Sequence, residues 1–213
     1  MKPTPMYRNI LLSDEITSSS VEKVISTIFS INYDDDQKEA EYKDWVREPI
    51  NLFINTNGGN AYDAYALGDV IRTSKTPVHT IALGWCMSAG FLIYLFGHKR
   101  LMGAYATLMY HDVASYAGGK SEYVKQELSE MKRLADMMNQ LIISTSKVGL
   151  KTLEDYINRK AEWYIDISTA LDVVLDYFLI YLLSISVRTL CLFDWSLLCY
   201  RQELWVRLSI NST

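Results

Sequence analysis

The apolar and polar positions predict strands alternating with helices along most of the chain. Residues 7–15 (YRNILLSDE) read as a short first strand. Over 18–31 (SSSVEKVISTIFSI), Val21, Val24, Ile25, Ile28 and Phe29 fall on one helical face, with Ser19 and Glu22 at capping-box spacing. The segment 33–49 is charged and lacks a long apolar face, so it reads as a solvated insertion or a polar helix. INLFIN (50–55) and VHTIAL (78–83) are buried strands. Between them, the turn TNGGN leads into a helix over 61–73 that Asn60 is placed to cap. GWCMSAGFLIYLFG (84–97) reads as a tight turn entering an apolar helix, and RLMG and ATLMYH as further strands. A long helix runs from Ser121 to about Lys147, with Val124, Leu128, Met131, Ala135, Met138 and Ile142 on one face. A shorter helix over 153–160, capped by Thr152 with Asp155, and a strand over 161–165 follow. Strands alternating with helices make an α/β layered fold.

The pattern weakens after residue 172. From 173 to 213 the chain has no Gly, Pro or Lys, is rich in Leu, and holds two of the three cysteines. We therefore expect one domain over 1–172 and an atypical C-terminal extension over 173–213, read either as a non-homologous, frame-shifted tail or as an amphipathic helix packed on the body. In the first case Leu175, Phe178, Ile180, Tyr181, Leu182 and Leu183 would form exposed apolar surface.

The remaining composition narrows the function classes. A net charge of −4 without a basic cluster argues against a nucleic-acid surface. Three irregularly spaced cysteines make no disulfide framework, which points to a reducing, cytoplasmic compartment. The N-terminus does not read as a signal peptide, and no apolar run is long enough to span a bilayer. Metal-ligand clusters, phosphate loops and dinucleotide fingerprints are absent from the sequence, so no cofactor is expected.

Three segments could carry chemistry. In GWCMSAG, Ser88 stands where a small-residue turn meets an apolar helix, a place that exposes a hydroxyl and offers backbone N–H groups to an oxyanion; taken alone it reads equally as a helix N-cap. The glycine pair of INTNGG lets backbone N–H groups approach a ligand, or makes an ordinary turn. His111 ends an apolar strand, 23 residues after Ser88. A serine hydroxyl needs a base to take its proton, and histidine is suited to that, although a lone histidine is more often structural. His79 lies within or at the start of a strand, and His98 in a charged loop.

Taken in order, INTNGG, GWCMSAG, LMYH and KAEWYIDISTALD resemble the proteolytic subunit of the Clp protease, within the crotonase-like fold. The resemblance covers roughly residues 7–172. It implies layered strand-turn-helix repeats with a protruding handle helix at 121–147, and a serine endopeptidase working as a homo-oligomeric ring. Its substrates would be unfolded polypeptides, fed by an AAA+ unfoldase. Carried over by position, Ser88 is the nucleophile, His111 the base, and the N–H groups of Gly59 and Ala89 the oxyanion hole. The family's triad aspartate falls at Glu162, with Asp166 a second candidate. Ala161 stands where the family usually has an arginine used in ring-to-ring contacts. Only six residues precede Tyr7, where the family builds axial loops that meet its ATPase. The charged 33–49 segment, not typical of the bacterial enzymes, suggests a divergent, phage-encoded relative. Two alternatives stay open: an inactive subunit that only assembles, and an acyl-thioester enzyme of the crotonase-like class.

Overall fold

The computed structural model describes residues 6–113, 119–159 and 161–174, together with the backbone of a short strand at Tyr177–Phe178. The described elements run β1 (Asn9–Leu12), α1 (Ser18–Glu41), β2 (Ile50–Thr56), α2 (Ala61–Thr73), β3 (Val78–Met87), α3 (Ala89–Leu95), β4 (Lys99–Met102), β5 (Thr107–Tyr110), α4 (Ser121–Thr145), α5 (Leu150–Arg159), β6 (Trp163–Ile165), α6 (Ile167–Val173) and β7 (Tyr177–Phe178). This is the expected α/β fold. The strands form one sheet in the order β1-β2-β3-β4-β7, all parallel, and β5 joins it by pairing with both β3 and β6.

Strand β2 shows why the sheet's centre is secure. Ile50, Leu52, Ile54 and Thr56 alternate onto a buried face, as a period of two requires, while β1 and β3 satisfy its two edges. Strand β3 organises the site. Its first half pairs with β4 through His79–Ala82, and its second half pairs with β5 through Trp85–Met87. GWCM is therefore strand and not the expected turn. Gly84, at φ +48°, accommodates the irregularity where the register with β2 shifts between Ile54 and Thr56. The turn is compressed into the single residue Ser88.

Helix α1 corrects one sequence expectation and decides another in favour of the polar helix, over the first part of 33–49. Its capping box is formed by Thr17 and Ser20 rather than Ser19 and Glu22. The charged segment also continues the helix through Glu41. Val21, Val24, Ile28 and Ile31 are buried at helical spacing, and Asp35 occupies the next position on that stripe, fully buried. A lone carboxylate there would be prohibitive. Arg8, just before β1, donates from Nη2 to Asp35 Oδ1 at 2.6 Å and from Nη1 to Oδ2 at 2.9 Å. The Thr76 hydroxyl and the Trp45 indole N–H donate to the same carboxylate at 2.6 and 3.0 Å. Beside it, Arg47 joins Asp36 and, one turn on, Glu39, at 2.5 and 2.6 Å. The charged segment is thus held to the sheet by polar contacts.

The C-terminal half of α4 buries Leu134, Met138, Leu141 and Ile142, whereas Leu128 in its first half is exposed. That difference fits a helix whose beginning stands away from the body. Helix α5 starts at Leu150, so Thr152 lies in its first turn instead of capping it; the Thr152 N–H donates to Gly149 O at 3.0 Å. Of the 173–213 extension, Val174 is buried and the Val173 carbonyl accepts from Lys147 N–H at 2.8 Å. Strand β7 then pairs Tyr177 with Leu101 and Phe178 with Met102. The expected exposed apolar run at 175–183, apart from the β7 backbone, lies outside the described residues, as does the rest of the extension. No helix among the described residues is long and apolar enough to cross a membrane.

Candidate active site

Strand β3 ends at Met87, and the backbone then turns abruptly. Ser88 has φ +51° and ψ −118°, and it is the only non-glycine residue with positive φ among those described. Such a conformation costs on the order of 1–3 kcal/mol and persists only where the surroundings enforce it. Here the Ser88 N–H donates to Met109 O on β5 at 2.9 Å, and Ser88 O accepts from Leu92 N–H at 3.0 Å as α3 begins. All seven residues of α3 are buried, which anchors the turn from below.

The N-cap alternative does not describe Ser88. It stands at the N-cap position of α3, but its side chain makes no capping hydrogen bond. Its Oγ lies 2.8 Å from Nε2 of His111, the residue that follows β5. Because β5 pairs alongside the end of β3, the sheet itself sets the spacing between serine and histidine. With the ring proton on Nδ1, the hydroxyl donates to Nε2, the arrangement that general-base activation needs. The other two histidines are placed differently. His98 Nδ1 accepts from Val78 N–H at 3.1 Å. Burial, together with Lys99 and His98, lowers the pKa of His79 to about 4.

The glycine pair packs directly against this turn. A Cβ on Gly58 would sit 2.8 Å from Ser88 Cβ and 3.0 Å from Met87 O, and one on Gly59 would sit 2.4 Å from Ile16 O. Both glycines also have positive φ, +110° and +145°, so side chains are excluded on two counts. Neighbouring donors are committed: Gly58 N–H to Thr56 Oγ1 at 3.2 Å, and Asn60 N–H to Ile16 O at 2.8 Å. The Asn60 side chain caps α2 as expected, accepting from Tyr62 and Asp63 N–H. Gly59, Ser88, Ala89 and His111 all line one cleft of about 250 Å³. Leu92, Met131, Leu134 and Met138 give it apolar walls, and Asp112, Glu127 and Glu130 add acidic groups. The contribution of α4 to this cleft was not expected from the motifs.

The carboxylate candidates are not joined to the histidine. Glu162 is exposed and accepts a hydrogen bond from the Tyr164 hydroxyl. Asp166 caps α6, accepting from Thr169 N–H and the Ser168 hydroxyl, each at 2.9 Å; these bonds, the backbone one first, hold its pKa below the ordinary value. Neither carboxylate is hydrogen-bonded to His111, so the structure joins the serine and the histidine and leaves the third position open. Groups of His, Cys, Asp and Glu able to hold a metal ion are absent among the described residues.

The profile of the family described as Clp protease matches residues 5–172. The chain belongs to the Clp protease family. Among curated relatives, it is 30% identical over 167 residues to ATP-dependent Clp protease proteolytic subunit 2 of Treponema pallidum (strain Nichols), covering 78% of each chain. It is 22% identical over 167 residues to proteolytic subunit 1 of Prochlorococcus marinus (strain NATL2A), covering 78% of this chain and 79% of that one. Its fold is similar to that of a ClpP1 mutant from Listeria monocytogenes, with a TM-score of 0.64 at 22% identity, over 76% of this chain and 85% of that one. Membership of the Clp protease family supports a Clp-type peptidase.

Proposed function

We propose that this chain is a serine endopeptidase that hydrolyses unfolded polypeptides through an acyl-enzyme. The observation that carries the reading is the 2.8 Å approach of Ser88 Oγ to His111 Nε2, with the hydroxyl released from any capping role. Ser88 Oγ attacks a peptide carbonyl carbon while His111 Nε2 takes its proton. The Gly59 and Ala89 N–H groups stabilise the tetrahedral oxyanion. His111 returns the proton to the departing amine, leaving an ester on Ser88. Water, deprotonated by the same imidazole, then releases the acid. Glu162 is the third member of the triad, and the cleft's apolar walls take an apolar side chain of the substrate.

The proposal extends to assembly. The relatives are named ATP-dependent proteolytic subunits, which supports an enzyme that works assembled and coupled to ATP. In this reading the chain forms a homo-oligomeric ring supplied by an AAA+ ATPase, working in the cytoplasm without a cofactor of its own. The peptidase body is residues 1–172 and the extension 173–213. A second reading, an inactive assembly subunit, is favoured by one observation: Glu162 is bonded to Tyr164 and not to His111.

Hydrolysis separates the two. The purified full chain, with an unfolded fluorescein-labelled protein as substrate, is expected to release peptides, and Ser88→Ala to release none. Release that continues unchanged in Ser88→Ala contradicts the proposed nucleophile. Assembly without any release by the wild type supports the inactive subunit.

A further inference from the structure

The pairing of β5 with β6 runs antiparallel through Leu108↔Ile165, Met109↔Tyr164 and Tyr110↔Trp163. One step beyond the last pair, the same register sets His111 opposite Glu162. Directly opposed residues of an antiparallel pair share a face, with Cβ atoms about 4.5–5.5 Å apart. Burial along β6 alternates accordingly: Trp163 and Ile165 face inward, while Glu162 and Tyr164 face outward together. The backbone thus puts the Glu162 carboxylate within reach of the His111 ring. The side chain goes elsewhere, lying along its own strand to meet the hydroxyl of Tyr164, two residues on.

We propose that Tyr164 is a latch on the triad: its hydroxyl holds Glu162 along β6, and release of that bond lets the carboxylate swing across the ladder to His111 Nδ1. Tyr164 is a positioning residue that acts through Glu162. The latch is built to open. Tyr164 is 56% exposed, so its hydroxyl exchanges the carboxylate for water at little cost. The bond's influence is visible on the phenol, whose pKa the Glu162 carboxylate pushes upward. The ring of the neighbouring Trp163, by contrast, is fixed in a stack on Tyr156 at 4.9 Å, so the strand stays in place while the outward pair rearranges. A group or surface that takes up the Tyr164 hydroxyl would switch the site on.

The inference rests on the serine-peptidase reading, and its test has two readouts. In Tyr164→Phe, which removes only the hydroxyl, the rate of Ser88 labelling by a fluorophosphonate is expected to rise by roughly tenfold or more. The gain should vanish in Tyr164→Phe with Glu162→Gln. Independently of activity, proton NMR of the ¹⁵N-histidine-labelled chain should show a strongly downfield Nδ1–H signal in Tyr164→Phe. That signal should be missing from the wild type and from the double variant, and should disappear when His111→Ala is added. The latch is overturned if the wild type already shows that signal, or if Tyr164→Phe shows neither the signal nor a faster rate. Should Ser88 prove unreactive throughout, the peptidase reading fails, while the Nδ1–H signal still decides whether Tyr164 keeps Glu162 from His111.

Discussion

His111→Ala is expected to lower kcat for a peptide substrate by about 10²-fold or more while Glu162 stays on Tyr164, and by up to about 10⁶-fold once Glu162 engages the histidine, and to leave the fold intact. The size of the effect follows from the role. Without a base 2.8 Å from the hydroxyl, Ser88 has nowhere to send its proton as the carbonyl is attacked. The imidazole is half-buried and lies past the end of β5, so its removal deletes no core packing. Its one side-chain hydrogen bond among the described residues is the bond to Ser88. Circular dichroism and thermal melting should therefore match the wild type. Ser88→Ala and His111→Ala together should cost about as much as either alone, because the pair acts as a unit. A His111→Ala variant retaining a tenth of wild-type turnover would remove the histidine from the mechanism.

Asp35→Ala is expected to lower the stability of the domain by about 3–5 kcal/mol. The variant leaves Arg8 buried without its counter-ion, since both Nη atoms of Arg8 bond Asp35 in the wild type. It also strips the Thr76 hydroxyl and the Trp45 indole of their acceptor. In urea the midpoint should fall by about 1–2 M. A pH arm sharpens the assignment. Burial pushes the Asp35 carboxyl up, but the Arg8, Thr76 and Trp45 bonds outweigh it and hold the carboxyl below its ordinary pKa. A carboxyl with a depressed folded pKa stabilises fully above its unfolded value, near 3.9, and loses that contribution as pH falls through the folded one. The wild type should lose stability in that acid window, and Asp35→Ala should lose less there. Equal urea midpoints for the two proteins would show that the pair contributes nothing beyond an apolar contact.

Which of these features the sequence discloses depends on whether the cause is local. The face Val21–Val24–Ile28, the buried strand INLFIN and the Asn60 cap each arise within a turn or a strand, and each was legible there. The Ser88 turn and the His111 strand end were legible through their motifs, although their meeting depends on β5 lying beside β3. GWCM misled because its glycine and small residues signal a turn, whereas non-local pairing with Thr107–Met109 keeps it extended. The buried Asp35 was not legible, for a similar reason. Its partner Arg8 is 27 residues away, and nothing around a carboxylate in a charged run marks it as buried. The Glu162–Tyr164 bond was equally hidden, since a motif identifies the carboxylate's position and leaves its side-chain direction to its neighbours.

The most direct measurement is fluorophosphonate labelling of the purified full chain, read by intact mass and peptide mapping. The account predicts one adduct, on Ser88, absent from Ser88→Ala and lost or greatly slowed in His111→Ala. A folded, oligomeric wild type that takes up no label, or that carries it on another residue, would contradict it.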